Sequence, residues 1–245
     1  WDDRPPGGPF NAYTDTVAPR FLATTLLSAL DHRRRTGEGQ FIDQAQMESA
    51  LHFLAPELLD VQVSGRSARR AGNHDPVAAP HDAYPCAGTD EWCAIAVEND
   101  GQWRALRRAL GDPEWAADPA LDSAEGRRAA SAHIDRELSV FTSQHDPRSL
   151  MVMLQAAGVP AGMVQRSSDH LEDPQLLHRH FFRRMEHPEM GEIPYEGHQF
   201  RIAGYDNGPR FPAPLLGEHT YDVLADILGM DVDEIGEAMA NGACG

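Results

Sequence analysis

Residues 17–35 restrict the fold more than any other segment. Val17, Ala18, Phe21, Leu22, Leu26, Ala29 and Leu30 recur at helical spacing, and on a 3.6-residue period they cover most of a helix circumference. A helix apolar on so many sides needs neighbours on several, so the spacing predicts a largely buried helix. Pro19 falls in the first turn of that expected helix, where a missing N–H costs nothing. His32-Arg33-Arg34-Arg35 followed by Gly37 supplies a basic last turn and a glycine cap. Asp15 then lies at or just before the helix N-terminus, after a Gly/Pro-rich stretch read as loop over residues 1–14.

Downstream, residues 41–43 read as a short strand. Residues 46–63 read as a second helix with Met47, Leu51, Leu54 and Leu58 along one face. Residues 64–80 form an extended linker rich in Gly, Arg, Asn and Pro, and strands 83–86 and 92–97 follow with a turn between them. Helices are expected over 102–110, 123–144, 147–157 and 168–177, strands over 159–165 and 200–203, and a hairpin over 181–195. A second linker at 212–214 precedes two short helices, 220–228 and 231–240. The mixture predicts an α/β or α+β chain in which two linkers bracket a central module, residues 80–205.

Formal net charge is −17, from 21 basic and 38 acidic residues. A surface of that sign repels phosphate backbones and anionic bilayers, which argues against nucleic-acid or membrane-surface binding. A local Arg cluster can still override the field for a small anion. All 21 basic residues are Arg. Without Lys there is no Schiff base, no pyridoxal-phosphate anchor and no P-loop lysine. Cys86, Cys93 and Cys244 form neither a CxxC pair nor a metal spacing. That usage suits a reducing cytoplasm, with the cysteines as small buried hydrophobes or free thiols. No apolar run approaches the roughly 20 residues of a bilayer span. The first residues lack the basic start and apolar stretch of a signal peptide. A start at Trp1, without Met and inside a Pro/Gly-rich stretch, does not resemble a natural protein start.

Gly37-Glu38-Gly39-Gln40 precedes a strand instead of following one, and it lacks the third glycine of a dinucleotide loop. The 12 histidines include His178, His180 and His187. No Cys or carboxylate completes a familiar ligand set, so they read as solvated surface groups and no metal is expected. No G-x-S-x-G elbow is present. Asp15 supports two roles. An N-cap carboxylate is the ordinary reason for Asp at a helix start. The same place suits a nucleophile, because unpaired N–H groups and the helix dipole keep a carboxylate ionised and can stabilise an adjacent oxyanion.

Asp15, the helix after it and Arg35-Thr36-Gly37-Glu38-Gly39-Gln40-Phe41-Ile42-Asp43 together resemble class III CoA transferases, the formyl-CoA transferase and carnitine CoA-transferase type. In that family the nucleophilic Asp opens a helix ending in an R-T-G-x-G-Q turn. Ala157-Gly158-Val159-Pro160-Ala161-Gly162 resembles the family's A-G-V/I-P-x-G strand, and Asp173-Pro174-Gln175 and His187-Pro188 resemble the segment after it. Ala213-Pro214-Leu215-Leu216-Gly217-Glu218-His219-Thr220 resembles its C-terminal A-P-x-L-G-E-H-T signature. The matches run in order along the chain. The resemblance implies an α/β fold in which residues 1–70 and 210–245 belong to a Rossmann-like large domain. Residues 71–209 would then be a linker and an inserted smaller α+β domain.

The resemblance further implies that Asp15 is the catalytic nucleophile. It would be acylated by an acyl-CoA donor and converted to an aspartyl-CoA thioester, from which a carboxylic acid acceptor takes the CoA. Coenzyme A and acyl-CoA are then substrates, with no tightly bound cofactor, and the CoA-binding residues stay unassigned. Gly72, Asn73 and His74 occupy the region of the family's mobile substrate-side loops and are the expected substrate contacts. Family members carry a further N-terminal segment holding most of the CoA-binding surface, and two ring-like chains interlock. The chain is therefore expected to be a C-terminal fragment that needs that segment or a homodimer partner. Alone it is expected to expose an apolar patch, to bind CoA poorly and to transfer nothing. Two alternatives stay open. An α-methylacyl-CoA racemase-like isomerase would use the same Asp as an acid/base, although Thr16-Val17-Ala18-Pro19 replaces its Phe-Gly-Gly-Gly run. A non-catalytic C-terminal fragment or subunit would only bind an N-terminal partner. Pro19 stands where the transferases often carry a Gly, a departure beside the nucleophile.

Overall fold

The computed structural model describes residues 7, 12–67, 69–206 and 208–243, so Cys244 and most of the expected N-terminal loop lie outside the described residues. The chain divides into two compact units between Val164 and Gln165. That boundary falls inside the segment expected to be a single central module.

In the first unit, helix α1 spans Tyr13–Thr36 and ends at Gly37, whose φ of 82° is the left-handed cap that glycine adopts without strain. The helix starts ahead of the expected position, so Asp15 falls within its first turn and Pro19 lies inside it. It is not largely buried. Val17 is its one buried residue among those described, while Leu22, Leu26, Leu27 and Leu30 are exposed. The reason is the neighbourhood: α1 packs chiefly on helix α2, Gln46–Leu51. Phe21 meets His52 and Phe53 edge-on, with ring centroids 5.2 and 6.2 Å apart. The expected second helix is interrupted by a 3-10 turn, His52–Leu54, and resumes as α3, Ala55–Ser64. Pro56 accounts for the break, since it has no N–H to offer the carbonyl of His52. Met47, Leu51, Leu54 and Leu58 are exposed. Residues 41–43 do not form a strand, and Phe41 is 93% exposed; among the described residues no neighbouring strand pairs with them.

The core of this unit lies against a three-stranded antiparallel sheet. Strands β1 (His81–Pro85) and β2 (Trp92–Ala96) pair as expected, and β3 (Ala161–Met163) pairs with β2. Alternation along the strands turns Tyr84, Cys93 and Ile95 inward. Helices α6 (Ser131–Thr142) and α7 (Pro147–Ala156) lie on the strands, α4 (Asp100–Ala109) packs on α7, and α5 (Ala124–Ala129) packs on α6. Ile134, Leu138 and Thr142 fall four residues apart on α6, and Leu150 and Leu154 on α7; all are buried. Each fully buried leucine or isoleucine contributes roughly 1.5–3 kcal/mol. Asn99 and Asp146 cap α4 and α7 through bonds from Gln102 N–H (3.0 Å) and Ser149 N–H (2.8 Å). The expected single helix over 123–144 breaks at Ala130 (φ −102°, ψ 12°). Alanine is the best helix former, so packing sets this break, not propensity. Gly126 lets α5 press on the turn Pro119–Asp122: a Cβ there would sit 1.7 Å from the Ala120 carbonyl oxygen.

Arg127 ties these pieces together. Its side chain is fully buried and lies over the Trp103 ring, 5.6 Å from the centroid. Nε donates to the Ala79 carbonyl (2.9 Å), Nη1 to the Leu121 carbonyl (3.0 Å) and Nη2 to Asp100 Oδ1 (2.9 Å).

The second unit holds α8 (Ser167–His170), α9 (Pro174–His178) and the hairpin β4 (Phe182–His187) and β5 (Gly191–Glu196). The segment expected as one helix over 168–177 is split between α8 and α9. Asp173 begins the second of these by accepting from Gln175 and Leu176 N–H groups. Residues 200–203 do not form the expected strand. Helix α10 (Thr220–Asp222) runs into a π-turn, Val223–Ile227, and α11 (Val232–Ala240) follows, capped by Asp231 and Glu234 in a reciprocal box.

Replacing Arg127 with Met orphans two buried carbonyls. It is expected to lower the unfolding free energy by about 2–4 kcal/mol in urea denaturation followed by tryptophan fluorescence. Arg127→Lys should not restore the loss, because an ammonium cannot reproduce the planar three-way fork.

Candidate active site

Asp15 sits in the first turn of α1, where the earliest intrahelical bond is Thr16 N–H to the Ala12 carbonyl (3.1 Å). Ala12 provides no side-chain cap. Asp15 therefore lies in the turn that carries the positive end of the helix dipole. Pro19 has no N–H for the Asp15 carbonyl, one helical turn before it. The Arg20 guanidinium bonds to the next carbonyl, that of Thr16.

The partner of the carboxylate comes from the start of α2. Gln46 Nε2 donates to Asp15 Oδ1 and, at 2.9 Å, to Thr14 Oγ1. Gln44 braces the same contact, donating to the Ala18 carbonyl (3.2 Å) and to Ser49 Oγ (3.1 Å). Asp15, Ala18, Pro19, Leu22, Gln44 and Gln46 line a cavity of about 350 Å3. Sequence reasoning missed both glutamines. They lie some thirty residues from the helix start (separations of 26 and 31), and no local pattern marks them.

The expected substrate contacts lie elsewhere in the same unit. Gly72 (φ 60°) shapes a turn closed by His74 N–H to the Ala71 carbonyl (3.0 Å). Asn73 Nδ2 donates to Asp82 Oδ1 (2.8 Å), and His81 Nδ1 lies 2.6 Å from the Asn73 carbonyl oxygen. Asn73, His81 and Asp82 edge a cavity of about 490 Å3 floored by the small residues Ala83, Ala94 and Gly162; Gly72 and His74 are not in its lining. Nearby, Tyr84 donates to Asp135 Oδ1 (2.7 Å). Burial pushes the Asp135 carboxyl above its ordinary range. The Tyr84 bond and the charge of His74 oppose the shift, while the charge of Asp82 adds to it. Burial and the Asp135 partner push the Tyr84 hydroxyl far up.

Cys86 and Cys93 are buried free thiols. Burial raises both, Cys93 to about 11, so neither is a nucleophile at neutral pH. His178 and His180 are exposed as expected, but His187 is buried: its Nδ1 accepts from the Glu189 and Met190 N–H groups (3.1 and 3.2 Å) and closes the β4–β5 turn. Among the described residues no three His, Cys, Asp or Glu side chains gather as a metal site, and no helix is long and apolar enough to cross a membrane.

A sequence profile described as CoA-transferase family III matches residues 1–220. The chain belongs to CoA-transferase family III. A protein of Mycobacterium tuberculosis named a probable CoA-transferase is 37% identical over 91% of this chain and 28% of its own length. The succinyl-CoA–D-citramalate CoA-transferase of Chloroflexus aurantiacus is 30% identical over 95% of this chain and 58% of its own. Among solved structures, a CAIB/BAIF family protein from Brucella suis superposes with a TM-score of 0.79 at 30% identity, covering 92% of this chain and 58% of that one. This family III chain thus spans little more than half the length of these relatives, or less. The mixed α/β fold is the one its relatives share.

Asp135 offers a test of the Tyr84 cluster in this family III chain. A carboxyl raised in the fold contributes stability that is complete below its ordinary value of 3.8 and is lost as pH rises through the elevated one. The native chain should therefore gain stability relative to Asp135→Asn as the pH falls from about 7 to about 4 in paired urea titrations. A flat difference over that window would contradict the assignment.

Proposed function

We propose that Asp15 is the nucleophile of a CoA transfer between an acyl-CoA donor and a carboxylic acid. The observation that carries this is the Gln46 amide bonded to the Asp15 carboxylate in the first turn of α1, in a chain of CoA-transferase family III. One Asp15 oxygen attacks the thioester carbon of the donor. The C–S bond breaks and a mixed anhydride forms, with CoA leaving as thiolate. The thiolate attacks the Asp15 carbonyl, the donor acid leaves as carboxylate, and an aspartyl-CoA thioester remains. An acceptor carboxylate then attacks that thioester, the thiolate returns to the acceptor's carbonyl, and Asp15 is released. No net proton, metal or redox change is involved.

In each tetrahedral intermediate on Asp15 an oxygen gains charge. The Gln46 amide and the N–H groups of the first helical turn would stabilise it. Dicarboxylic acyl groups suit the donor, since succinyl-CoA is the donor named for the C. aurantiacus relative. The exposed leucines of α1 and the greater length of the relatives support activity in an assembly, with a further N-terminal segment or a second chain covering these faces. An acid/base racemase would leave Asp15 free of any adduct.

Intact-mass and peptide mass spectrometry after incubation with succinyl-CoA should find CoA on Asp15, with the chain tested alone and with the further length its relatives possess. Asp15→Asn should abolish both the adduct and transfer. Gln46→Ala should lower kcat about 100-fold with a smaller change in KM. Turnover without an adduct, or an active and folded Asp15→Asn protein, would refute the mechanism.

A further inference from the structure

The second unit inverts the charge of its surroundings at one place. Residues 165–245 hold six Arg against fifteen Asp and Glu. Three of those six, Arg179, Arg183 and Arg201, line a single cavity of about 520 Å3, and Asp206 is the only carboxylate in its lining among the described residues. Arg183 and Asp206 neutralise each other through a two-pronged ion pair, and Arg183 also donates to the Pro209 carbonyl (3.1 Å). Gly208 makes room for this, since a Cβ there would sit 2.5 Å from the guanidinium.

The other two guanidiniums are held but not neutralised. Arg179 Nη2 donates to the Gln199 carbonyl (3.1 Å) and Arg201 Nη2 to the Arg179 carbonyl. Neither meets a carboxylate among the described residues. Each keeps most of its five N–H donors for a ligand. The wall beside them is aromatic. His198 and Phe200 stack with centroids 5.2 Å apart and planes 12° from parallel, and Tyr205 is 76% exposed.

A cavity of this volume accepts a whole small molecule. Forked guanidiniums bind phosphate oxygens in pairs, and flat side chains stack on a planar ring. A simple carboxylate would leave the aromatic wall unused, and an apolar ligand would strip water from two cations without compensation. We propose that this cavity binds a nucleoside phosphate, with its phosphate on Arg179 and Arg201 and its base between the His198–Phe200 stack and Tyr205. The chemistry is the same for a free nucleotide and for the nucleotide end of CoA. The proposal does not rest on the role of Asp15, and its test needs no transfer activity.

Calorimetric titration of the 245-residue chain with adenosine 3′,5′-bisphosphate at low salt should show one saturable site. Arg179→Gln combined with Arg201→Gln should weaken it at least about tenfold. Because those variants also lose two carbonyl bonds, Tyr205→Ala, which leaves them in place, should separately weaken binding about fivefold. Inorganic pyrophosphate should bind at least about tenfold more weakly than the nucleotide, for want of a ring to stack. Displacement of the bisphosphate by CoA would identify CoA as the source, and no displacement would identify a free nucleotide. Absence of saturable heat, unchanged affinity in a folded double-arginine variant, or pyrophosphate equal to the nucleotide would each overturn the proposal.

Discussion

The buried Arg127 guanidinium is the constraint on which the first unit depends. One planar group bonds the backbone just before β1, the backbone of the Pro119–Asp122 turn and the first residue of α4. In a low-dielectric interior these bonds are worth more than in water, and leaving any of the acceptors unpaired would cost more still. The bond to Ala79 places the start of β1 and hence the bases of His81 and Asp82 beside Asn73. Gly126 matters for the same reason: it is the close approach of α5 to that turn that aims Arg127 inward.

Around Asp15 the order of construction is different. Among the described residues no buried network surrounds it. The carboxylate is exposed, at a helix end where Ala12 provides no side-chain cap, and among the described residues the Gln46 amide from α2 orients it. The helix behind it keeps exposed leucines at 22, 26, 27 and 30. Covering any one of them fully would add roughly 1.5–3 kcal/mol, so this surface is where further burial remains to be gained. Gln46 is the contact from α2 that orients the Asp15 carboxylate on this helix.

Charge shows how far a global figure can mislead. At −17 the chain as a whole repels phosphate. Electrostatic recognition, however, is decided within a few ångströms, where one ion pair removes Arg183 and Asp206 from account and leaves Arg179 and Arg201 facing the same cavity.

Much was already determined by the sequence. The start of the sheet, the β4–β5 hairpin and the glycine stop at Gly37 depend on local chemistry that a short window contains. The ordered motifs from Asp15 to Thr220 carried the family, now matched over residues 1–220. Tertiary structure decided the rest. Residues 41–43 have the composition of a strand, but a strand exists only when another strand accepts its N–H and C=O groups, and none does so among the described residues. Ala130 breaks a helix against its own propensity because α5 is pinned by packing. The apolar pattern of α1 recorded that partners are required but could not supply them. Gln46, Arg127 and the Arg179–Arg201 pair act across separations of 22 to 48 residues, and contacts at that range follow from the path of the folded chain, which no local pattern encodes.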